Sequence, residues 1–360
     1  MLSNVHIAEL LARQAAGEGG ILSRAFRRAA RSAFLWPEEA AQLVAQNRSL
    51  TELRSVGPFI ETQIRRWLDE PSPARKPPVI RQDFISLAQA RQLLATKPEW
   101  EKRLRGDLQM HTQWSDGSGT VAEMADAAME RSYEYIAITD HSKGLKIAGV
   151  IEEHQLQKQG AEITKLHVSL QKSGRELMVL RSIELNLNPR GQGDMSSESL
   201  RALDLVLGSF HSSLRRSDDQ TERYLAALRN PHVHILGHPR GRIYNFRIGL
   251  SADWPRVFAE ATRLDKALEV DCYPDRQDLN VQLLKLAREH GTRISLGTDA
   301  HHPWQLEFIQ LGLAAILRAK LLPQKIVNFM PIVDLKKWIA QLRSRSGRTT
   351  NRCCAKEMAS

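Results

Sequence analysis

The sequence predicts an α/β protein in which a small all-α module precedes a parallel α/β barrel. Two observations support this fold class. In the first 70 of the 360 residues, apolar side chains recur at three- and four-residue spacing, which is typical of amphipathic helices. From Gly106 onward, short apolar runs alternate with longer helical stretches, which is the pattern of a parallel sheet covered by helices.

The helical module comes first along the chain. Four helices are predicted, over Val5–Ala15, Leu22–Ala33, Pro37–Gln46 and Phe59–Leu68. The segment Leu50–Ile60 places a short turn before the last of them and resembles a helix-hairpin-helix, although Ser55 stands where that motif usually carries its first glycine. Arg54, Ser55 and Gly57 at this turn are candidate contacts to a DNA phosphate. The alternative is a helical pair that only packs on the rest of the protein.

The remaining boundaries follow from composition. Residues 71–80 are rich in proline and predict a stiff connector, so we divide the chain into a helical module (1–70), a basic linker (71–105), a barrel (106–342) and a flexible basic tail (343–360). Seven strands are predicted in the barrel, over Gly106–Met110, Tyr135–Thr139, Leu177–Ile183, Leu205–Phe210, Val233–Gly237, Ala267–Val270 and Arg293–Thr298.

Charge is distributed unevenly along the chain. The net charge is +10, and residues 1–105 carry 17 Lys and Arg against 11 Asp and Glu. Residues 343–360 carry 5 against 1, which leaves the middle of the chain neutral. Basic flanks favour a partner with phosphates such as DNA, at ends or gaps, because Lys and Arg release counterions from nucleic acid. A merely soluble basic surface is the alternative.

Several classes of protein are excluded by composition. No run approaches eighteen apolar residues, and Met1–Ile7 lacks the features of a secretory signal, so we expect a cytoplasmic protein without membrane contact. Cys272, Cys353 and Cys354 provide neither a disulfide framework nor a CxxC pair. Any metal would therefore be held by histidines and carboxylates.

Candidate metal ligands follow the predicted strands one after another. The carboxyl ends of barrel strands open on one face, so these side chains are expected to converge there. A single histidine is a weak signal, whereas a series at successive strand ends is hard to explain by packing. The series comprises Gln109, His111, Asp116, Asp140, His141, Glu184, His211, His238, Asp299 and His301.

The sequence around these ligands resembles that of a known family. The motifs are Asp107–Thr112, Ser115–Gly117, Ile138–Ser142, Ser209–Ser212, Gly237–Pro239 and Thr298–His301. They resemble the polymerase and histidinol phosphatase (PHP) family, most closely the PHP domain of bacterial family X DNA polymerases. In the module, Ala25–Arg31 resembles part of the amino-terminal region of those polymerases.

The resemblance implies a distorted seven-stranded, TIM-like (β/α)7 barrel with two or three divalent ions, zinc or manganese. By position, the first ion would take His111, Glu184 and Asp299 with Gln109 beside them, the second Glu184, His211 and His238, and the third Asp116, His141 and His301. The family usually has histidine where this chain has Gln109, and an amide binds transition metals less well than imidazole. Full occupancy of three sites is therefore in question.

The ligand set is typical of sites where metal-activated water hydrolyses a phosphoester. Glu184 and Asp299 are the catalytic carboxylates, and Arg240 and Arg276 are candidates to hold a substrate phosphate, each being an ordinary surface residue otherwise. Fewer than forty residues separate the module from the barrel, too few for a polymerase palm and thumb. The first lysine is Lys76, so the module also has no amine for Schiff-base lyase chemistry.

Three functions are compatible with these features. The leading hypothesis is a metal-dependent phosphoesterase on DNA ends, acting as a 3′-5′ exonuclease or 3′-phosphatase in repair. The alternative is a small-molecule phosphatase of the histidinol phosphatase type, in which the module serves only as packing. A non-catalytic DNA-binding or scaffold protein is disfavoured, because all but one of the nine implied ligand positions carry the expected residue.

Overall fold

Parallel strands form the centre of the molecule. The computed structural model describes residues 2–70, 76–145 and 149–357. Within these residues the strands are β1 (Gly106–Met110), β2 (Tyr135–Ile138), β3 (Met178–Arg181), β4 (Glu184–Asn186), β5 (Leu207–Ser209), β6 (Ile235–Leu236), β7 (Ala267–Asp271) and β8 (Arg293–Gly297). They form two sheets, in the orders β1-β2-β3 and β4-β5-β6-β7-β8, and every pairing is parallel. The α/β class with a parallel sheet is therefore confirmed.

The count of seven strands is not confirmed, because one predicted strand is divided. The run predicted over Leu177–Ile183 pairs with β2 only as far as Arg181. The chain then changes partner, since Ser182 donates to the Leu205 carbonyl and Glu184 opens β4, which pairs with β5. This change of partner places Glu184 at the start of a strand rather than at the end of one.

Hydrogen bonds connect the two sheets on both sides. On one side, the His111 amide donates to Ala300 at 2.7 Å and the Asp299 amide donates to Gln109 at 3.1 Å. On the other, the Ser142 amide donates to the Glu184 carbonyl at 3.1 Å. All of these bonds lie near the carboxyl ends of β1, β2 and β8. A fully closed barrel stays a prediction.

Helices precede and cover the sheets. In the module they are α1 (Asn4–Gly17), α2 (Gly20–Ser32), α3 (Ala40–Ala45) and α4 (Pro58–Asp69). The remaining helices are α5 (Leu87–Ala95), α6 (Glu99–Arg103), α7 (Val121–Glu130), α8 (Glu153–Lys172), α9 (Ser197–Arg201), α10 (Thr221–Arg229), α11 (Trp254–Leu264), α12 (Val281–Glu289), α13 (Ile309–Arg318) and α14 (Ile332–Glu357). None of the helices in the described part of the chain is long and apolar enough to cross a lipid bilayer.

The four predicted module helices are present, with shifted ends. α3 begins only at Ala40, after Glu39 as its N-cap, and α4 begins at Pro58, whose fixed φ suits the first helical position. Between them, Leu50–Glu52 forms one 3₁₀ turn. Ser55, at the position where the hairpin motif has glycine, takes a φ of 64°, which is a glycine-like conformation. The helix-hairpin-helix itself stays a prediction.

The predicted linker and tail are more structured than expected. Residues 71–75 lie outside the described residues, but α5 and α6 occupy part of the stretch that we predicted as linker. α5 begins with a capping box between Ser86 and Gln89, and its Ala90 and Leu94 are buried in the same hydrophobic core as α13. The backbone of α14 continues to Glu357, through most of the predicted flexible tail.

The module is joined to the barrel by a shared core. Tyr244, from the loop after β6, is 2% exposed and lies in the hydrophobic cluster of the module. Its ring contacts Phe34 at 4.8 Å and Phe84 at 5.3 Å between centroids. Nearby, Arg242 is buried, stacks on Phe84 at 3.8 Å and donates to the Asp83 carbonyl at 3.0 Å. The position of the module therefore depends on this loop.

Tyr244→Ala should destabilise the protein and loosen the module. Removing a buried aromatic ring leaves a cavity and costs about 3–5 kcal/mol of unfolding free energy. Urea denaturation measures this loss, and limited proteolysis should show earlier cleavage between module and barrel. Tyr244→Phe is the control, because it keeps the ring and loses only a long hydrogen bond of 3.4 Å to Ala8. Equal stability of the Ala and Phe variants would contradict a shared core.

Candidate metal centre

The predicted ligands converge where the strands end. The loops after β1 and β2 supply three of them, and the other strands supply the rest. In chain order they are His111 and Asp116 after β1, His141 after β2, Glu184 at the start of β4, His211 after β5, His238 after β6, and Asp299 and His301 after β8.

Two of these ligands have an unusual backbone. Asp299 takes a φ of 52° and His238 a φ of 22°, in a region that few residues other than glycine adopt. Such conformations cost about 1–3 kcal/mol each and persist where the surrounding structure holds them. Holding these two side chains in the cluster therefore lowers the free energy of unfolding.

Glu184 lies at the centre of the cluster and is completely buried. Its Oε1 atom is 2.6 Å from His238 Nε2 and 3.1 Å from His211 Nε2. Its Oε2 atom is 2.9 Å from His141 Nδ1 and 3.5 Å from His111 Nε2. Burial by itself raises the pKa of Glu184, but the surrounding imidazoles outweigh it and hold this pKa well below its ordinary value. Glu184 is therefore an anion that four histidines surround.

Asp299 and Asp116 complete the cluster on either side of His111. Asp299 Oδ1 is 2.9 Å from His111 Nε2, and Asp299 Oδ2 is 3.0 Å from a terminal nitrogen of Arg276. Burial raises the pKa of Asp299, but Arg276 and His111 reverse the shift and keep it ionised. Asp116 Oδ1 lies 3.4 Å from His301 Nε2 and 3.6 Å from His141 Nε2. Both carboxylates are thus available as anionic ligands.

Among the residues that the structure describes, three groups of side chains have ligand atoms within 4.8 Å of one another. They are His111 with Glu184 and Asp299, His141 with Glu184 and His211, and Asp116 with His111, His141 and His301. The first and third contain the residues implied for the first and third ions. His238 lies outside the three groups, although its Nε2 contacts Glu184. The ligands are close enough to be shared between neighbouring cations.

The donor set fits divalent metals. Both ring nitrogens of His111, Nδ1 of His141, Oε2 of Glu184 and Oδ2 of Asp299 are buried, and none makes a well-directed hydrogen bond with the described residues. Buried polar atoms without partners are costly and rare. Imidazole nitrogens and carboxylate oxygens are the usual ligands of zinc and manganese. Cations at these positions would be well-directed partners for these atoms, which otherwise face one another or Arg276 as ion pairs.

Contacts around the cluster orient the histidine rings. His301 donates from Nδ1 to the Asp299 carbonyl at 2.7 Å, and His211 donates from Nδ1 to Asn186 Oδ1 at 3.2 Å. Each bond places the proton of the neutral ring on Nδ1, so that Nε2, which faces a carboxylate, is the nitrogen that a cation would bind. Such outer contacts select the tautomer that binds metal.

Gln109 contacts a buried acid beside the cluster. With its amide nitrogen turned toward Glu269, Gln109 donates to both carboxylate oxygens at 2.7 and 2.9 Å. Glu269 is completely buried, and burial together with the charge of Asp271 raises its pKa well above the ordinary value. Gln109 is therefore engaged by a neighbouring acid, which argues against its assignment as a ligand.

Sequence reasoning missed Glu269 and Asp271. Both are completely buried on β7, beneath the ligand cluster, and Glu269 also accepts a hydrogen bond from the His238 amide at 2.8 Å. The available signal was their alternation along the strand, because residues two apart point to the same face. Two acids on one face of an otherwise apolar strand indicate a polar interior.

The two arginines predicted to hold a substrate phosphate make different contacts. Arg276 contacts Asp299 as described, and its side chain is 32% exposed. The guanidinium of Arg240 instead donates to the carbonyls of Ile248 at 3.0 Å and Leu250 at 3.4 Å, which favours a role in holding that loop.

The predicted DNA contacts lie in the module. Arg54 is exposed and lies 5.4 Å from the ring of Trp304, in the segment after β8. Ser55 accepts a hydrogen bond from Ser32 at 2.9 Å, and Gly57 is the N-cap of α4. Arg54 is therefore the member of this set that approaches the barrel loops.

Two named proteins are similar in sequence. DNA polymerase/3′-5′ exonuclease PolX of Bacillus subtilis (strain 168) is 32% identical over 238 residues, which are 66% of this chain and 41% of that protein. A probable phosphatase of Caldicellulosiruptor bescii is 27% identical over 161 residues, which are 42% of this chain and 65% of that protein. The chain thus spans about two fifths of the first relative and less than two thirds of the second.

A solved structure and a family model also match. Histidinol phosphate phosphatase (HISK) from Lactococcus lactis, crystallised with zinc, L-histidinol and phosphate, gives a TM-score of 0.42 at 18% identity, covering 61% of this chain and 94% of that chain. The family model described as PHP domain matches residues 107–276, the segment that carries the ligands from His111 to His238. Over these residues, the chain is therefore similar to the PHP domain family.

Proposed function

We propose that this protein is a metal-dependent phosphoesterase that acts on DNA ends, as a 3′-5′ exonuclease or a 3′-phosphatase. The observation that carries the proposal is the buried Glu184, which contacts four histidines within a PHP domain. The names of the relatives support phosphoester hydrolysis, since one is a polymerase and exonuclease and the other a probable phosphatase. Polymerisation is not proposed, because the linker leaves no room for a palm.

Different residues of this chain would hold the cations and contact the substrate phosphate. Glu184, Asp299 and Asp116, with the surrounding histidines, would hold the cations. When bound, zinc or manganese ions supply charge that polarises a phosphoryl oxygen and acidifies water. Arg276 would hold Asp299 in place through Oδ2, and its side chain, which is 32% exposed, would contact a substrate phosphate. Burial of Glu184 and His111 keeps bulk water from the inner side of the cluster.

The charge distribution favours DNA over a small substrate. The excess of Lys and Arg in residues 1–105 falls mainly in residues 71–105, which carry 8 Lys and Arg against 3 Asp and Glu. The module before them packs beside the barrel through Tyr244. A small-molecule phosphatase needs no such module. The alternative keeps support from relatives that are named probable phosphatases.

Metal removal and substrate comparison test the proposed function. Purified protein should contain two or three equivalents of zinc or manganese, and chelation should abolish hydrolysis of a 3′-labelled oligonucleotide until manganese is restored. The oligonucleotide should be a better substrate than a panel of phosphomonoesters that includes histidinol phosphate. Faster turnover of a small ester would favour the alternative, and metal-independent hydrolysis would contradict the proposal.

Glu184→Gln should lose metal and activity while the protein remains folded. The substitution keeps the size of the side chain but removes the only anion shared by two of the three ligand groups. Hydrolysis should fall by far more than tenfold, a factor that corresponds to about 1.4 kcal/mol in the barrier. Glu130→Gln, at the exposed end of α7, is the matched control. Normal metal content in Glu184→Gln would exclude a bridging role.

Metal affinity should rise with pH. In the metal-free protein burial lowers the pKa of His301, but its hydrogen bond to Asp116 and the charge of Asp299 raise it to about 9. His301 is therefore protonated at neutral pH, and a cation must displace that proton to bind Nε2. We expect apparent affinity at this group to increase about tenfold per pH unit between 6.5 and 8.5. Metal titrations check this slope, which should flatten in His301→Asn but persist in His154→Asn.

A further inference from the structure

A basic cleft lies between the module and the barrel loops. It has a volume of about 670 Å³, and one wall is formed by α2 and the turn before α4. The opposite wall consists of the loops after β7 and β8, with Tyr273, Asp275 and Trp304. Five arginines line it: Arg24, Arg27, Arg28, Arg31 and Arg54.

Four of these arginines form a stripe along α2. Residues 24, 27, 28 and 31 are three and four apart, so they share one face of the helix. The opposite face is held in the module core by Phe26, Ala29 and Ala30. The packing of the module therefore determines that the arginine stripe points toward the cleft.

The stripe has almost no compensating negative charge. Within the described residues, none of these four arginines forms an ion pair, and all four are exposed. Asp275 is the acid in the cleft lining, and the charges of Arg276 and Arg31 only partly oppose the rise of its pKa caused by burial. Unpaired guanidinium groups at this density suit a ligand with several phosphates.

Aromatic rings stand on the other wall. Trp304 is 38% exposed, with its ring 5.4 Å from Arg54 and 5.3 Å from Phe308. The ring centroid of Phe308 in turn lies 5.2 Å from that of Tyr273. The Trp304 indole therefore packs on a ring that is itself packed against another aromatic side chain. A positive groove with an exposed ring is typical of single-stranded nucleic acid sites, where bases stack on aromatic side chains.

The cleft adjoins the metal centre through its barrel wall. Gln305, which lines the cleft, accepts a hydrogen bond from the His301 amide at 2.7 Å. The loop that carries Tyr273 and Asp275 continues into Arg276, which contacts the ligand Asp299. A strand lying in the cleft would therefore have one end beside the metal ligands.

We propose that this cleft binds a single-stranded segment of nucleic acid and leads its end to the metal centre. The hydrolysis of that end at the metal centre rests on the proposed function. From Arg24 to Arg31 the stripe spans about 10 Å along the helix, which is long enough to contact more than one phosphate of a strand. One phosphate of a small ester would leave most of the stripe unused.

Neutralising the stripe tests the proposal. The triple variant Arg24→Gln, Arg27→Gln, Arg31→Gln removes three charges with a good helix former. Lys158→Gln, Lys165→Gln, Lys172→Gln removes three charges from exposed positions on α8 and is the matched control. The probe is a fluorescein-labelled thymidine 20-mer with phosphorothioate links that resist hydrolysis, and its binding is followed by anisotropy across a salt series. Turnover of p-nitrophenyl phosphate with manganese is measured on the same samples.

The arginine variant should bind the 20-mer at least about tenfold more weakly at low salt. Its salt slope should be smaller by about two, because each lost phosphate contact contributes about 0.7 for a single strand. The lysine control should stay within about twofold of the unmodified protein. Unchanged affinity and slope in the arginine variant would overturn the inference, as would tighter arginine-dependent binding of a duplex. A similar loss on a uridine 20-mer would support recognition of the shared phosphodiester backbone.

The small-ester assay separates this inference from the proposed function. If the unmodified protein hydrolyses p-nitrophenyl phosphate but the arginine variant still binds the 20-mer normally, the cleft assignment is wrong and the phosphoesterase stands. If binding depends on the arginines but manganese-loaded protein hydrolyses neither substrate, the phosphoesterase is wrong and the binding site stands.

Trp304 supplies an independent variant. Trp304→Ala should weaken 20-mer binding about 5- to 100-fold through loss of base stacking, without changing the salt slope. Trp304→Phe keeps a ring on Phe308 and should recover most of the affinity. Equal binding by the Ala variant and the unmodified protein would reject the stacking contact.

Discussion

The structure around the site depends on one buried carboxylate. Glu184 lies in the interior with four histidines around its two oxygens, and such a charge is tolerated only when it is paired. The partners come from the ends of β1, β2, β5 and β6, so the two sheets must meet at this edge. The break between β3 and β4 brings Glu184 to that point. The arrangement of the two sheets therefore also determines which histidines surround Glu184.

The module contributes to the site through the loop after β6. That loop begins with His238, a candidate ligand, and continues through Arg242 to Tyr244 in the module core. A change in module packing would therefore act on a chain segment that also carries a ligand. The same packing holds the arginine stripe of α2 against the barrel loops. The candidate metal centre and the arginine stripe therefore both depend on the packing of the module.

Gln109 and Glu269 form a buried pair beside the candidate ligands. The amide of Gln109 donates to both oxygens of a buried acid, Glu269. Glu269 thereby gains a partner, and it also accepts from the His238 amide. The pair lies beside the cluster, and the group of His111, Glu184 and Asp299 contains the candidate ligands.

The sequence by itself determined the parallel α/β class and the order of the ligands, from His111 to His301. This was possible because the carboxyl ends of parallel strands open on one face, so residues far apart in the chain are bound to meet. The tertiary structure alone decided that Gln109 faces Glu269, that Arg240 holds a loop, that one predicted strand divides at Glu184, and that the α2 arginines face Trp304. These outcomes depend on side-chain direction and on contacts between distant elements, which local periodicity does not encode.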